Sequence, residues 1–140
     1  STISEDGKPH ASYAPFVIDA QKNIYIFVSG LSAHTANLKA LKRASVLLIE
    51  DESKTEQIFA RRRLAYDCIA QVIQRDEESW SAIASQFADR FGNIIDVLKS
   101  LKDFDIFQLK PQSGQFVVGF GAAYRISGEH LDQLEQSTGK

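Results

Sequence analysis

The chain has 140 residues, 44% of them hydrophobic and 24% charged, which suits one ordinary domain with its own core. A net charge of -2 excludes a global attraction to nucleic acid or to an anionic membrane, so anion binding must come from a local basic patch. One cysteine excludes an internal disulfide and a cysteine-rich metal site, no apolar run is long enough to span a bilayer, and no secretion-type leader opens the chain, so a cytosolic protein is expected.

Ser1-Thr2-Ile3-Ser4 alternates like the end of a strand and meets a hairpin turn at Asp6-Gly7. A strand that short is a poor sheet member, and Ser137-Thr138-Gly139-Lys140 closes no element, so both ends are expected to be cut. A strand is predicted over His10–Ile18, at an edge or a bulge, because Pro15 cannot donate to a ladder. Asp19–Asn23 is a turn. Ile24–Val28 is apolar throughout and reads as a strand buried on both faces. Ser32 is a good N-cap for a short helix over Ala33–Arg43. Leu38 and Leu41 face inward there, and Lys39, Lys42 and Arg43 gather where the helix dipole favours cations. Ser45–Asp51 is a further strand that ends in an acidic turn.

Three consecutive arginines then stand inside Ile58–Ala70, which reads as a strand extending to Ile73. Strand alternation puts Arg61 and Arg63 on one face with Phe59, Ala65 and Asp67. Arg62 shares the other, mostly apolar face with Ile58, Ala60, Leu64, Tyr66 and Cys68. Two guanidinium forks about 7 Å apart on one face suit a phosphate, a carboxylate or a pair of propionates. The same pattern also describes a solvated basic strand that resists edge pairing. Cys68, on the apolar face, reads as a buried, inert thiol.

Asp76, Glu77 and Glu78 open a helix whose apolar stripe is Trp80, Ile83, Ala84, Phe87 and Phe91, with Gly92 as its stop. A short second helix carries Ile94, Ile95, Val97, Leu98 and Leu101. Asp103–Leu109 reads as a strand, Pro111–Gly114 as a turn, and Gln115–Ile126 as a last long strand. Gly119 and Gly121 inside that strand suggest a bulge or a close approach to the backbone. The sum is an α+β chain, mainly β, with six or seven mostly antiparallel strands. It forms a single domain over residues 1–140 with a helical insertion at 76–101. Without regular β-α-β alternation a doubly wound sheet is excluded, and a small barrel with inserted helices fits.

For chemistry, His10, His34 and His130 lack ligand spacing, so no protein-only zinc site is expected. No G-x-S-x-G is present, and Gly119-Phe120-Gly121 is not a dinucleotide fingerprint. His34-Thr35-Ala36-Asn37 lies in the first turns of the short helix, where backbone donors favour an anion and His34 and Thr35 can add side-chain donors. Simple capping explains the same turn equally well. Asp103, at a strand start, has the ordinary role of a turn or bulge hydrogen bond.

Six motifs occur in one order: His10-Ala11-Ser12-Tyr13-Ala14-Pro15-Phe16, His34-Thr35-Ala36-Asn37-Leu38, Ile49-Glu50-Asp51-Glu52, Phe59-Ala60-Arg61-Arg62-Arg63-Leu64, Arg90-Phe91-Gly92, and Gly119-Phe120-Gly121-Ala122-Ala123-Tyr124. Together they resemble the HugZ/HutZ-type haem-utilisation proteins of the pyridoxamine 5′-phosphate oxidase-like, flavin-binding split-barrel superfamily. The resemblance implies a dimeric split β-barrel with cofactor sites at the subunit interface. It implies haem binding and oxidative haem degradation with release of iron. Flavin mononucleotide (FMN) in the corresponding cleft and a non-catalytic haem carrier are the alternatives. It places Arg61 and Arg63 near the cofactor, with the His34, Thr35 and Asn37 turn as further cofactor-binding residues. Asp103 becomes a cross-subunit partner of the axial histidine. That histidine sits in the family's C-terminal tail, typically after a glycine. Here Leu131–Lys140 holds no histidine and His130 comes too early to match, so the axial ligand is expected outside these residues.

Overall fold

The computed structural model describes residues 1–138. Their elements are β1 (Thr2–Ile3), β2 (Pro9–His10), β3 (Phe16–Ile18), β4 (Ile24–Ser29), α1 (Ala33–Leu41), β5 (Arg43–Ile49), β6 (Arg63–Ile73), α2 (Glu78–Phe91), α3 (Ile94–Ser100), β7 (Phe104–Gly119), β8 (Ala122–Ser127) and β9 (Gln133–Gln136). Two 3-10 turns, Glu52–Lys54 and Ile58–Ala60, lie between β5 and β6. β1 pairs with β2. The other strands follow the hydrogen-bonded order β3-β4-β7-β6-β5, with β8 on β7 and β9 on β8. This is the mostly antiparallel sheet with a few helices that the sequence predicts. No helix among the described residues is long and apolar enough to cross a membrane. The residues cluster into two compact units, Ser1–Ala44 with Ile69–Lys110, and Ser45–Cys68 with Pro111 onward.

The first unit holds an aromatic core. β4 is buried along its whole apolar run, as its sequence requires. Phe27 on β4 meets Trp80 edge-on at 6.1 Å, Phe87 at 5.9 Å and Phe104 edge-on at 5.9 Å between ring centroids. Trp80, Ile83, Ala84 and Phe87 on α2, with Ile95 on α3 and Ile106 on β7, complete the cluster, so the predicted stripe is the buried one. Gly92 ends α2 with φ +77 and donates to the Ala88 carbonyl at 2.8 Å. Arg75 closes the end of α3: its guanidinium donates to the carbonyls of Lys99, Leu101 and Phe104 at 2.8, 2.6 and 3.0 Å.

Three expectations for this unit change. The strand over His10–Ile18 contracts to Phe16–Ile18, starting just after Pro15, and it forms the outer end of the strand order. α1 stops at Leu41 because Lys42 turns left-handed (φ 55) and donates back to Leu38, and Arg43 begins β5 instead. Leu41 therefore lies exposed, while Leu38 is buried. Ser32 sits at the N-cap position without a side-chain capping bond.

In the second unit, Tyr66 and Cys68 are buried and Asp67 is exposed, as alternation along β6 predicts. Burial pushes the Cys68 thiol up to about 12, so it is protonated and unreactive at neutral pH. Pro111–Gly114 is not a turn; β7 runs straight through it. Gly114 answers a different need. A Cβ there would lie 2.7 Å from the Ala65 carbonyl oxygen and 2.8 Å from the Tyr66 ring, so only glycine lets these backbones meet. The chain reverses later, at Phe120-Gly121, where Gly121 takes φ +65. The predicted single strand Gln115–Ile126 is thus a hairpin of β7 and β8, with a register shift between Val117 and Gly119. A Cβ at Gly119 or Gly121 would meet nothing within 4 Å, so neither glycine marks a close approach. β9 pairs with β8 through Ile126 opposite Leu134 and Tyr124 opposite Gln136. Gly139 and Lys140, read from sequence as part of a tail without structure, lie outside the described residues.

Candidate functional site

In the first unit the candidate residues gather where β4 leaves the sheet. Gly30 donates its backbone N–H to the Asp103 carbonyl at 2.5 Å. A Cβ at Gly30 would lie 2.9 Å from that same oxygen, so the approach requires glycine. Ser29 is the hub beside it. Its hydroxyl donates to the Asp103 carboxylate at 3.4 Å and accepts from the Leu31 N–H at 3.2 Å. Its carbonyl accepts the Thr35 hydroxyl at 2.6 Å. Thr35 is 1% exposed, so its hydroxyl anchors the start of α1 to the end of β4. The structure thus brings Asp103 and Thr35 to one serine, and leaves the Asp103 side chain facing water.

The other two helix residues point elsewhere. Asn37 donates to the Thr2 hydroxyl at 3.0 Å. His34 is half-buried, and its Nε2 has no hydrogen-bond partner among the described residues. Burial, and then the charge of His10, hold the His34 imidazole below its ordinary value, so it is neutral at pH 7. Lys39 pairs with Asp105 at 2.7 Å, close in sequence to Asp103.

In the second unit the three arginines do not share a strand. Gln57 folds over the next turn: its carbonyl accepts from the Ala60 N–H at 3.0 Å and its side chain from the Phe59 N–H at 3.4 Å. Residues Ile58–Ala60 are therefore a 3-10 turn, and β6 begins only at Arg63. The predicted grouping of Phe59 with Arg61 and Arg63 on one strand face fails with it; Phe59 is 83% exposed. Ile58, expected in the core, is exposed too.

The run is instead arranged by Glu50 at the end of β5. Arg61 Nε donates to the Glu50 carbonyl at 2.5 Å, and Arg63 Nη1 donates to the Arg61 carbonyl at 3.0 Å. Arg62, the exposed one, forms an ion pair with the Glu50 carboxylate. That guanidinium holds the Glu50 carboxyl below the usual carboxylate range. Arg61 and Arg63 are half-buried, and each retains donors beyond those bonds. Two partly desolvated guanidiniums can grip a carboxylate or a phosphate. Glu50, Ser29 and Gly30 carry no role in the sequence reading. Glu50 leaves a signal, an acid ending the strand just before an arginine run, but its pairing becomes visible only in three dimensions.

The described residues hold no cluster of three or more histidine, cysteine or acidic side chains fit for a metal ion. Comparison with known proteins follows the same lines. The family model described as pyridoxamine 5′-phosphate oxidase matches residues 1–118. The chain is 43% identical over 131 residues to a protein named heme oxygenase HutZ from Vibrio cholerae, covering 94% of this chain and 74% of that one. The crystal structure of HutZ, described there as the heme storage protein of Vibrio cholerae, is 38% identical with a TM-score of 0.78, over 85% of this chain and 84% of that chain. ChuZ from Campylobacter jejuni is 31% identical with a TM-score of 0.84, over 97% of this chain but 55% of that chain, so this chain spans about half of its length. With a mostly antiparallel sheet and three α-helices among its described residues, the chain belongs to the pyridoxamine 5′-phosphate oxidase family of split-barrel proteins, among the relatives of HutZ.

Proposed function

We propose that this protein binds haem as its substrate and degrades it oxidatively, releasing iron, with dioxygen as oxidant and an external reductant as electron donor. The observation that carries this reading is the 43% identity, over 94% of the chain, to a protein named heme oxygenase. Bound haem supplies the iron and the porphyrin carbon that is attacked. The chain's own part is to hold and orient it. Arg61 and Arg63 fit the two propionates, since both are half-buried cations with donors to give. His34, Thr35 and Asn37, on the first turns of α1, are further ligand-binding residues in this reading. Asp103, fixed through Gly30 and Ser29, orients the axial histidine of a second subunit. No residue described here is assigned as the iron ligand. Replacing Arg63 by alanine should weaken haem binding about tenfold, the size of one charge-assisted contact, in a titration followed at the Soret band. An unchanged affinity would return the arginines to a solvated basic segment.

The working form in this reading is a cytoplasmic homodimer with the ligand at its interface. On β5, Leu47 and Ile49 are 57% and 46% exposed, an apolar face that a second copy would cover. Sedimentation at micromolar concentration should give a dimer; a monomer would contradict an interface site. The family match also supports an FMN-binding oxidoreductase in which the same arginines hold the phosphate. A yellow protein carrying flavin after purification would select that reading. The description of HutZ as a heme storage protein favours a third, a carrier, which would bind haem stoichiometrically without losing its spectrum under reductant.

A further inference from the structure

Glu50 turns its backbone groups and one carboxylate oxygen to the arginine run, while the other carboxylate oxygen accepts from the Thr55 hydroxyl at 3.4 Å. Its N–H donates to the Arg62 carbonyl at 2.9 Å, its carbonyl accepts from Arg61, and its carboxylate accepts from Arg62 Nε at 3.0 Å and from Arg62 Nη2. The Glu50 side chain is 17% exposed while that of Arg62 is 65% exposed, so the acid is the fixed member of the pair. Of the other acids near Arg61, Asp51 is engaged by the Ser53 N–H and hydroxyl at 2.9 and 2.6 Å, and Glu52 is held loosely, 4.0 Å from Arg61 with its side chain 77% exposed. We propose that Glu50 is a positioning residue of the ligand site, which takes Arg62 out of ligand recognition and presents Arg61 and Arg63 as the two cations that meet an anionic ligand. The proposal rests on the reading of Arg61 and Arg63 as ligand-holding residues.

Three adjacent guanidiniums repel one another, and an uncompensated run would offer three competing contacts. Neutralising the middle one leaves two charges, the number that matches two propionates or one phosphate. Removing Arg62 then deletes no ligand contact. It frees the Glu50 carboxylate beside Arg61, where it competes with the ligand.

Haem should be titrated into the wild type, Arg62→Ala, the double variant Arg62→Ala/Glu50→Gln, and Arg63→Ala, with a melting curve for each. Arg62→Ala should weaken binding about fivefold, the size of one exposed ion pair, and the double variant should recover most of that loss. Affinity that falls and recovers at an unchanged melting temperature separates this role from a merely structural one, in which affinity and melting temperature would fall and recover together and so overturn the proposal. A double variant as weak as Arg62→Ala would make Arg62 itself a ligand contact and overturn the proposal. An Arg62→Ala protein that binds like the wild type would overturn it as well. If Arg63→Ala alone leaves haem affinity unchanged, the ligand-site reading fails, whatever the Arg62 pair does.

Discussion

Replacing Gly30 by alanine should cost about 1–3 kcal/mol of stability and displace Asp103. The added Cβ would lie 2.9 Å from the Asp103 carbonyl oxygen. That neighbour is main chain at the start of β7, so it cannot rotate away as a flexible side chain would. Either the Gly30–Asp103 hydrogen bond lengthens or the ends of β4 and β7 move apart. Both outcomes shift the Asp103 carboxylate relative to Ser29. Urea denaturation checks the stability loss. Gly119→Ala is the control, since a Cβ there meets nothing within 4 Å, and it should fall within about 0.5 kcal/mol of the wild type. Equal stability of the two variants would show that the approach at Gly30 is not tight.

Phe87→Ala should be the more damaging change, at about 3–5 kcal/mol. Phe87 is 1% exposed and contacts the rings of Phe27 and Phe91, each at 5.9 Å. Truncation removes a whole ring from the junction of α2 and β4 and leaves a cavity lined by aromatic groups that cannot collapse into it. Domains of ordinary stability hold only about 5–15 kcal/mol in total, so much of the margin would go. Val97→Ala on the exposed face of α3 should change little. A loss below about 1 kcal/mol for Phe87→Ala would mean that the aromatic cluster is not the core of its unit.

The parts of the fold that were legible in the sequence are those set by burial along one element. β4 is a continuous apolar run buried on both faces, and α2 repeats its apolar stripe at the helical period. What escaped depends on neighbours distant in sequence. Pro111-Gln112-Ser113-Gly114 carries every local mark of a turn, yet Gly114 is there because Ala65 and Tyr66 press against it. β9 is four residues long, mostly polar and exposed at each position, so it has no periodicity to read and exists through its pairing with β8. The arginine run looked like strand because its flanks are apolar; the bonds made by Gln57 wind the preceding residues into a 3-10 turn instead. The candidate residues divide the same way. Arg61, Arg63 and Asp103 stand out by residue type and position. Glu50, Ser29 and Gly30, which fix them, do so through cross-strand contacts that no local pattern encodes.

The central claim is that this protein consumes haem as a substrate. The most direct measurement is the ultraviolet-visible spectrum of the purified protein after one equivalent of haem, followed in air after a reductant is added. A Soret band should form and then decay as the porphyrin is opened, with iron becoming available to a chelator. A Soret band that forms and persists under reductant, with no iron released, would contradict the account and leave a haem carrier.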